Sequence, residues 1–301
     1  MKVSVIMPVE RIGGDAERAI ASVLQQKPPF AFELIVVSAE PLALAAETRL
    51  RNVVEGNRNP ATRRNRAVSV AQGEILAFID DDAVADPQWL ATACAYLDDH
   101  ADVLAIGGPD PAPPDSPPNE LISDTLLATP WIGSGVAAHE NRRGVFDVKR
   151  ASDIALVNLF VRRSAFTGFD EAIGYIGEDT ALLEELRARG RVVYHDGVRV
   201  FHRRRAFPGP YLRQRWRYRV KTGQLLHTRR DPRVSAFLAA GAIGLLLAPL
   251  AAIPYVLLTF ILGVRVTRLP LHWWPVIPVA FAMHHLTYWL GIVTGLTSGR
   301  K

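Results

Sequence analysis

Two stretches near the C-terminus, Val234 to Val264 and Leu269 to Gly299, contain no Asp, Glu, Lys or Arg. About 20 apolar residues cross the hydrocarbon core of a bilayer, so each stretch is long enough to do so. Residues 234–301 are therefore expected to form a membrane domain of two or three helical segments. Pro249 and Pro254 make the first run either one kinked helix or a tight helical hairpin. Trp273, Trp274 and Trp289 fit an aromatic belt. His284 and His285 lie inside the second run. Ionisable groups are costly there and mark either function or neutral packing between helices.

The net charge of +5 and pI near 9.5 hide an uneven distribution. Between His202 and Arg233, ten Arg and one Lys face a single acid, Asp231. Residues 206–233 read as a basic amphipathic segment lying on anionic headgroups, so membrane lipids are expected partners. Arg213, Arg215, Arg217, Arg219 and Lys221 fall at every second residue, which fits a strand as easily as a helix. Arginines among aromatic residues also mark nucleic-acid binders. The adjoining hydrocarbon argues against that here, and no nucleic acid is expected. A flank this basic belongs on the cytoplasmic side of a cell membrane. The chain would then be a multi-pass protein with its polar domain in the cytosol. Met1-Lys2 leads directly into a strand-like run, so no cleavable leader is expected, and Cys94 is the sole cysteine, so no intrachain disulfide is expected.

Residues 1–205 carry a different grammar. Val3 to Val9 is a β-rich run closed by Pro8, Asp15 to Gln26 has helical spacing, and Phe32 to Val37 is a second strand. A helical stretch is expected from Ala43 to Leu50 and another after Asn59-Pro60, ending at Gly73. Ile75 to Ile79 is then an apolar strand that stops in Asp80-Asp81-Asp82. Strands alternating with helices predict a mostly parallel α/β sheet with right-handed crossovers. In such sheets ligands bind beyond the carboxyl ends of the strands. The three acids therefore stand at the mouth of a site. Adjacent carboxylates suit Mg2+ or Mn2+, ions that also hold substrate phosphates. The plainer reading is an Asp-rich turn capping the next helix. The Gly-x-Gly-x-x-Gly dinucleotide fingerprint is absent after the first strand.

Downstream, a helix is expected from Pro87 to Asp98 and a strand from Val103 into Gly107-Gly108. Pro109 to Pro118 holds six prolines and reads as a surface loop or linker. Asp153 to Val161 is strand-like, and Ala181 to Arg189 is a helix capped by Asp179 or Thr180 and closed by Gly190. Arg191 to Tyr194 and Val198 to Phe201 are two short strands.

The order of these features resembles the family 2 glycosyltransferases, inverting enzymes of the GT-A fold. The match is carried by Pro8, Ser22 to Gln26, Arg64-Asn65, Gly73 to Asp82, Asp86 to Leu90 and Gly107-Gly108-Pro109. It continues through Asn158 to Arg163, Gly168 to Glu171, Glu178-Asp179, Gly190 and Val200-Phe201-His202. The resemblance implies a GT-A catalytic domain over residues 1–205. It implies that Asp80 and Asp81 bind a nucleotide sugar, and that Asp82, with Asp80 and His202, holds the divalent ion. It makes Asp179 the catalytic base and Glu178 its neighbour. Pro8, Glu10, Arg64 and Asn158 fall in the nucleotide pocket. Where the family has an acidic pair after the second strand, this chain has Ser38-Ala39-Glu40, so Glu40 is the candidate for the base contact. The Gln/Arg-x-x-Arg-Trp motif of processive synthases is unmatched, because Leu212 stands three before Arg215. The expected activity is metal-dependent transfer from a nucleotide-sugar donor to a lipid-linked or glycan acceptor at the membrane. The alternatives are a polyprenyl-phosphate glycosyl synthase and a transferase-like protein that only binds.

Overall fold

The computed structural model describes the chain except for residues 1, 44–46, 58, 133–141, 173–176, 229–232 and 299–301. It divides into two compact units. The first comprises residues 1–113 and 136–203; the second comprises 114–135 and 204–301.

The first unit is built on β1 (Val3–Pro8), β2 (Phe32–Ser38), β3 (Leu50–Val54) and β4 (Ile75–Phe78), which pair in parallel in the order β3-β2-β1-β4. Beyond β4 the sheet turns mixed. Strands β6 (Val103–Gly107), β7 (Val145–Asp147), β8 (Leu159–Arg162) and β9 (Arg191–His195) complete the order as β8-β6-β9-β7. β8 runs antiparallel to both β4 and β6. Side chains alternate faces along a strand. Val3, Val5 and Met7 accordingly join one core with Ala16, Ala19 and Val23 of α1 (Gly14–Leu24) and Trp89, Leu90 and Ala93 of α3 (Trp89–Asp99). Ile6, Ile35 and Val37 join the other. Its partners are Ala61 and Ala67 of α2 (Pro60–Val70) and Leu182, Leu183 and Leu186 of α5 (Glu178–Arg189). With both faces covered, β1, β2 and β4 are mostly apolar, and the buried Glu33 carboxylate of β2 accepts from Ser4 Oγ of β1 at 2.7 Å.

Several local expectations change. Residues 44–46 of the helix expected from Ala43 lie outside the described residues; Thr48 and Arg49 are turn, and Leu50 opens β3. The cause is Val53-Val54, whose β preference outweighs the weak helical spacing before it. The strand expected from Asp153 begins only at Leu159, because residues 151–153 and 156–158 form 3-10 turns. Helix α5 starts at Glu178 and is capped by Gly177 at φ +103°, not by an Asp179 or Thr180 side chain. Glycine adopts that left-handed backbone without a Cβ penalty. Asn59 does cap α2 by its side chain, accepting from Ala61 N at 3.0 Å. The short strand β7 carried no clear signal in the sequence.

In the second unit, α4 (Pro118–Ala128) begins at the last proline of the proline-rich stretch. Proline at a first helical position has no N–H to lose. The basic segment is helix α6 (Gly209–Thr228), which settles the strand-or-helix alternative for Arg213 to Lys221. Helices α7 (Arg233–Val264) and α8 (Val276–Ser298) follow, and α8 packs along α6, α7 and α4. Helix α8 is the described helix long and apolar enough to cross a membrane; Leu250–Val264 is a shorter apolar stretch. Both histidines of α8 have tyrosine partners: Tyr211 Oη lies 2.9 Å from His284 Nδ1, and Tyr255 Oη 2.8 Å from His285 Nδ1. The Asp124 carboxylate, nearly buried, binds Arg204 at 3.1 Å and Arg268 at 2.9 Å.

Candidate active site

Strand register decides which residues share a rim. Pro8 lies level with Val37, and Ile6 with Phe78. The segments leaving β1, β2 and β4 therefore emerge together, carrying Pro8 to Glu10, Ser38 to Glu40 and Asp80 to Asp82. Gly107 of β6 and Phe78 of β4 both pair with Leu159, so the chain after β6 leaves from the same edge.

A second element completes this rim. β10 (Val200–His202) pairs antiparallel with β5 (Ala83–Ala85), setting His202 opposite Ala83. On its other edge, Val200 N donates to Pro109 O at 3.1 Å and His202 N to Pro111 O at 2.9 Å. Prolines suit this position because they are needed only as acceptors. The proline-rich stretch is thus ordered along β10. It carries Asp110, which is fully buried, to His202. His202 Nε2 stands 3.1 Å from Asp82 Oδ1, and its Nδ1 is 3.2 Å from Asp110 Oδ2. A carboxylate behind one ring nitrogen fixes the tautomer and orients the other nitrogen, as in many metal-binding histidines. Asp110 was not singled out in the sequence. Its signal was present: a carboxylate immediately past a strand that ends in Gly107-Gly108.

The third group surrounds α2. Arg64 is buried and bridges two acids, with Nη2 2.9 Å from Asp80 Oδ1 and Nη1 3.3 Å from Glu178 Oε1. One guanidinium thereby ties the strand-end cluster to the start of α5. Burial raises the Glu178 carboxyl above its usual value even against the pull of Arg64. Next to it, Arg63 Nη1 donates to Glu10 Oε2 at 2.8 Å. Arg63 Nη2 and Arg64 Nε are buried without a hydrogen-bond acceptor. Burial, with Asp82 and Asp80 alongside, pushes Asp81 up to about 6, and Glu10 N donates to it weakly at 3.4 Å. A cation would reverse that rise.

The remaining predicted residues divide. Asp179 is partly exposed beside Glu178 and accepts from Thr180 N at 2.7 Å. Glu40 is exposed past the end of β2, where Ser38 Oγ donates to its carbonyl at 2.6 Å. Asn158 is fully buried. Its amide donates to Pro109 O and Val198 O and accepts from Trp89 Nε1, so its polar atoms are engaged in positioning the Pro109 segment.

Whether these residues suit a divalent ion can be read from the donor set. Among the described residues no group of three His, Cys, Asp or Glu side chains forms a ready cage. Asp82 and His202 do form a pair. In octahedral coordination with bonds of 2.0–2.1 Å, neighbouring ligand atoms sit about 3 Å apart. The 3.1 Å between Asp82 Oδ1 and His202 Nε2 matches that edge. Two protein ligands fit an ion that shares its remaining positions with substrate phosphates and water. Asp80 is engaged by Arg64.

An α/β sheet with acids, an oriented histidine and a helix-borne carboxylate at one rim has the build of the GT-A fold. The family model for glycosyl transferase family 2 matches residues 4–166, and the chain belongs to that family. A mannosyltransferase from Pyrobaculum calidifontis, solved with GDP-Man and Mn2+, superposes at a TM-score of 0.51 with 18% identity. The match covers 99% of this chain and 73% of that one. Residues 1–349 of S. aureus TarS superpose at 0.48 and 15% identity, covering 99% and 92%. The glucosyl-dolichyl phosphate glucuronosyltransferase of Haloferax volcanii is 35% identical over 52 residues, which span 17% of this chain and 17% of that protein.

Proposed function

We propose that this chain is a metal-dependent, inverting glycosyltransferase that takes a sugar from a nucleotide-sugar donor and passes it to a lipid-linked or glycan acceptor at a membrane. The observation that carries the reading is the Arg64 bridge, which brings Asp80 and Glu178 to one point from segments far apart in sequence. Asp82 and His202 would hold Mg2+ or Mn2+, with Asp110 orienting the imidazole. When bound, such an ion neutralises charge growing on the departing diphosphate. The buried donors Arg63 Nη2 and Arg64 Nε offer hydrogen bonds to the same anionic oxygens. Asp179 takes the proton of the acceptor hydroxyl as its oxygen bonds to the anomeric carbon and the bond to the diphosphate breaks on the opposite side. A positioned base typically contributes 10²–10⁴-fold. The GDP-Man and Mn2+ held by the mannosyltransferase of like fold make a sugar nucleotide with Mn2+ the first donor to offer.

Anchoring at a membrane is supported by α8 and by large apolar side chains held in the open on α7 and α8, among them Leu250, Ile253, Leu257, Val279 and Leu286. Apolar surface of that extent is rare on a protein meant for water alone. The dolichyl phosphate in the name of the Haloferax protein points the same way.

Donor binding is tested by thermal unfolding of the detergent-solubilised chain with a panel of sugar nucleotides. At a hundredfold excess over Kd a ligand stabilises by about 2.7 kcal/mol, a midpoint rise of about 5–10 °C for a domain of this size. The rise is expected only with Mn2+ or Mg2+ present and is lost in Asp82→Asn. A metal-independent rise of equal size in that variant would overturn the ion assignment.

A further inference from the structure

Helix α6 turns one stripe toward α8: Tyr211, Arg215, Arg219 and Gly223, each four residues after the last. Tyr211 meets His284, and Arg219 lies over the Tyr288 ring at 3.8 Å. At Gly223 the backbones close to within 3 Å of where a Cβ would stand. Arg215 packs its guanidinium on Tyr211 and Tyr218, at 5.5 and 5.0 Å from the ring centres.

Nothing anionic answers these two cations. Among the described residues, neither Arg215 nor Arg219 has a carboxylate partner, whereas Arg204 and Arg268 share Asp124. The Nε atoms of Arg215 and Arg219 are buried without acceptors. So is Nε2 of His284, a residue only 1% exposed. The tautomer in which Tyr211 donates to Nδ1 leaves the His284 ring proton on Nε2, a third donor without an acceptor among the described residues. Both guanidiniums lie within electrostatic reach of that imidazole. Both arginines are partly exposed and Arg215 Nη2 donates to Gln214 Oε1 at 3.0 Å, so it is their Nε edges that lack partners; buried polar atoms in folded proteins find one. An anion with several acceptor oxygens, such as a phosphate group, matches three such donors better than a two-oxygen carboxylate does.

We propose that the α6–α8 face, through Arg215, Arg219 and His284, binds a phosphate group, supplied either by a lipid headgroup or by a free phosphate. The lipid source rests on the membrane reading above; binding itself requires neither donor nor catalysis. Such a site would hold a phosphate-bearing lipid in the unit that carries the apolar helices.

The test uses the full chain in dodecyl maltoside, a detergent with no phosphate, without sugar nucleotide, with the unfolding midpoint followed as phosphatidic acid or inorganic phosphate is added. A rise with phosphatidic acid is expected. It should need about tenfold more ligand in Arg219→Gln and in Arg215→Gln, since each loses a charged hydrogen bond. In Arg213→Gln, which changes an exposed arginine one residue past Leu212, it should persist. Arg219→Lys, which keeps the charge and loses the fork, should fall between and covers the case in which the glutamine variant folds poorly. An equal response to inorganic phosphate would assign the site to a soluble phosphate. No rise with either, or the same rise in all variants, would overturn the proposal. Because donor binding at Asp82 is measured separately, either result leaves that reading standing or falling by itself.

Discussion

Removing the Arg64 guanidinium would strand two carboxylates at once. Arg64 and Glu178 are both nearly buried, with side chains 8% and 9% exposed, and losing one partner of such a pair costs about 3 kcal/mol or more. Arg64→Met should therefore lower stability by that order, and Glu178→Gln should recover part of it. A double-mutant cycle by thermal or denaturant unfolding should give a coupling of about 1–3 kcal/mol; additive effects would mean that the pair does not act together. Asp179 poses the chemical question. If the acceptor is a hydroxyl, Asp179→Asn should cut turnover by about 10²–10⁴ while leaving donor binding intact. Near-wild-type turnover would instead point to a phosphate acceptor, which has no proton to lose. Much of this site was legible residue by residue, because Asp80, Asp81, Asp82, Glu178 and His202 belong to an ordered set of motifs. Asp110 was not, since its role depends on where a proline-rich stretch runs beside β10. For Asn158, expected in the nucleotide pocket, sequence shows neither that it is buried nor that Trp89 and two carbonyls engage its amide.

At the scale of elements, apolar patterning located the central strands, where both faces are buried and few polar residues interrupt the runs. It failed at the margins. β3 and β7 are short outer strands with few buried residues, so their pattern is weak. Alternation left Arg213 to Lys221 open between strand and helix, because residues at every second position include Arg215 and Arg219, which helix α6 places on one face. The packing of α6 on α8 yields a prediction of its own. Ala is a better helix former than Gly by about 1 kcal/mol. Yet a Cβ at Gly295 would stand 2.1 Å from the Val220 carbonyl and 2.8 Å from the Gly223 Cα, both backbone atoms. Gly295→Ala should therefore destabilise by about 1–3 kcal/mol. Gly244→Ala in α7, with nothing near its Cβ position, should not. Unfolding in detergent would compare them, and a Gly295→Ala protein as stable as wild type would mean that the helices do not pack this closely.

At the scale of the whole molecule, charge and hydropathy announced two kinds of chain: an alternating α/β region and an apolar helical one. The sequence did not disclose that residues 114–135 leave the first unit to join the second, a placement set by tertiary contacts such as Asp124 with Arg204 and Arg268. The account as a whole depends on a divalent ion seated by Asp82 and His202 acting on a sugar nucleotide. The direct measurement is release of nucleoside diphosphate from a panel of sugar nucleotides by the purified full-length chain, with Mn2+ and then with a chelator. Release from at least one donor is predicted, abolished by the chelator, restored by added Mn2+ and absent in Asp82→Ala. Release that continues unchanged in the chelator and in Asp82→Ala would contradict it.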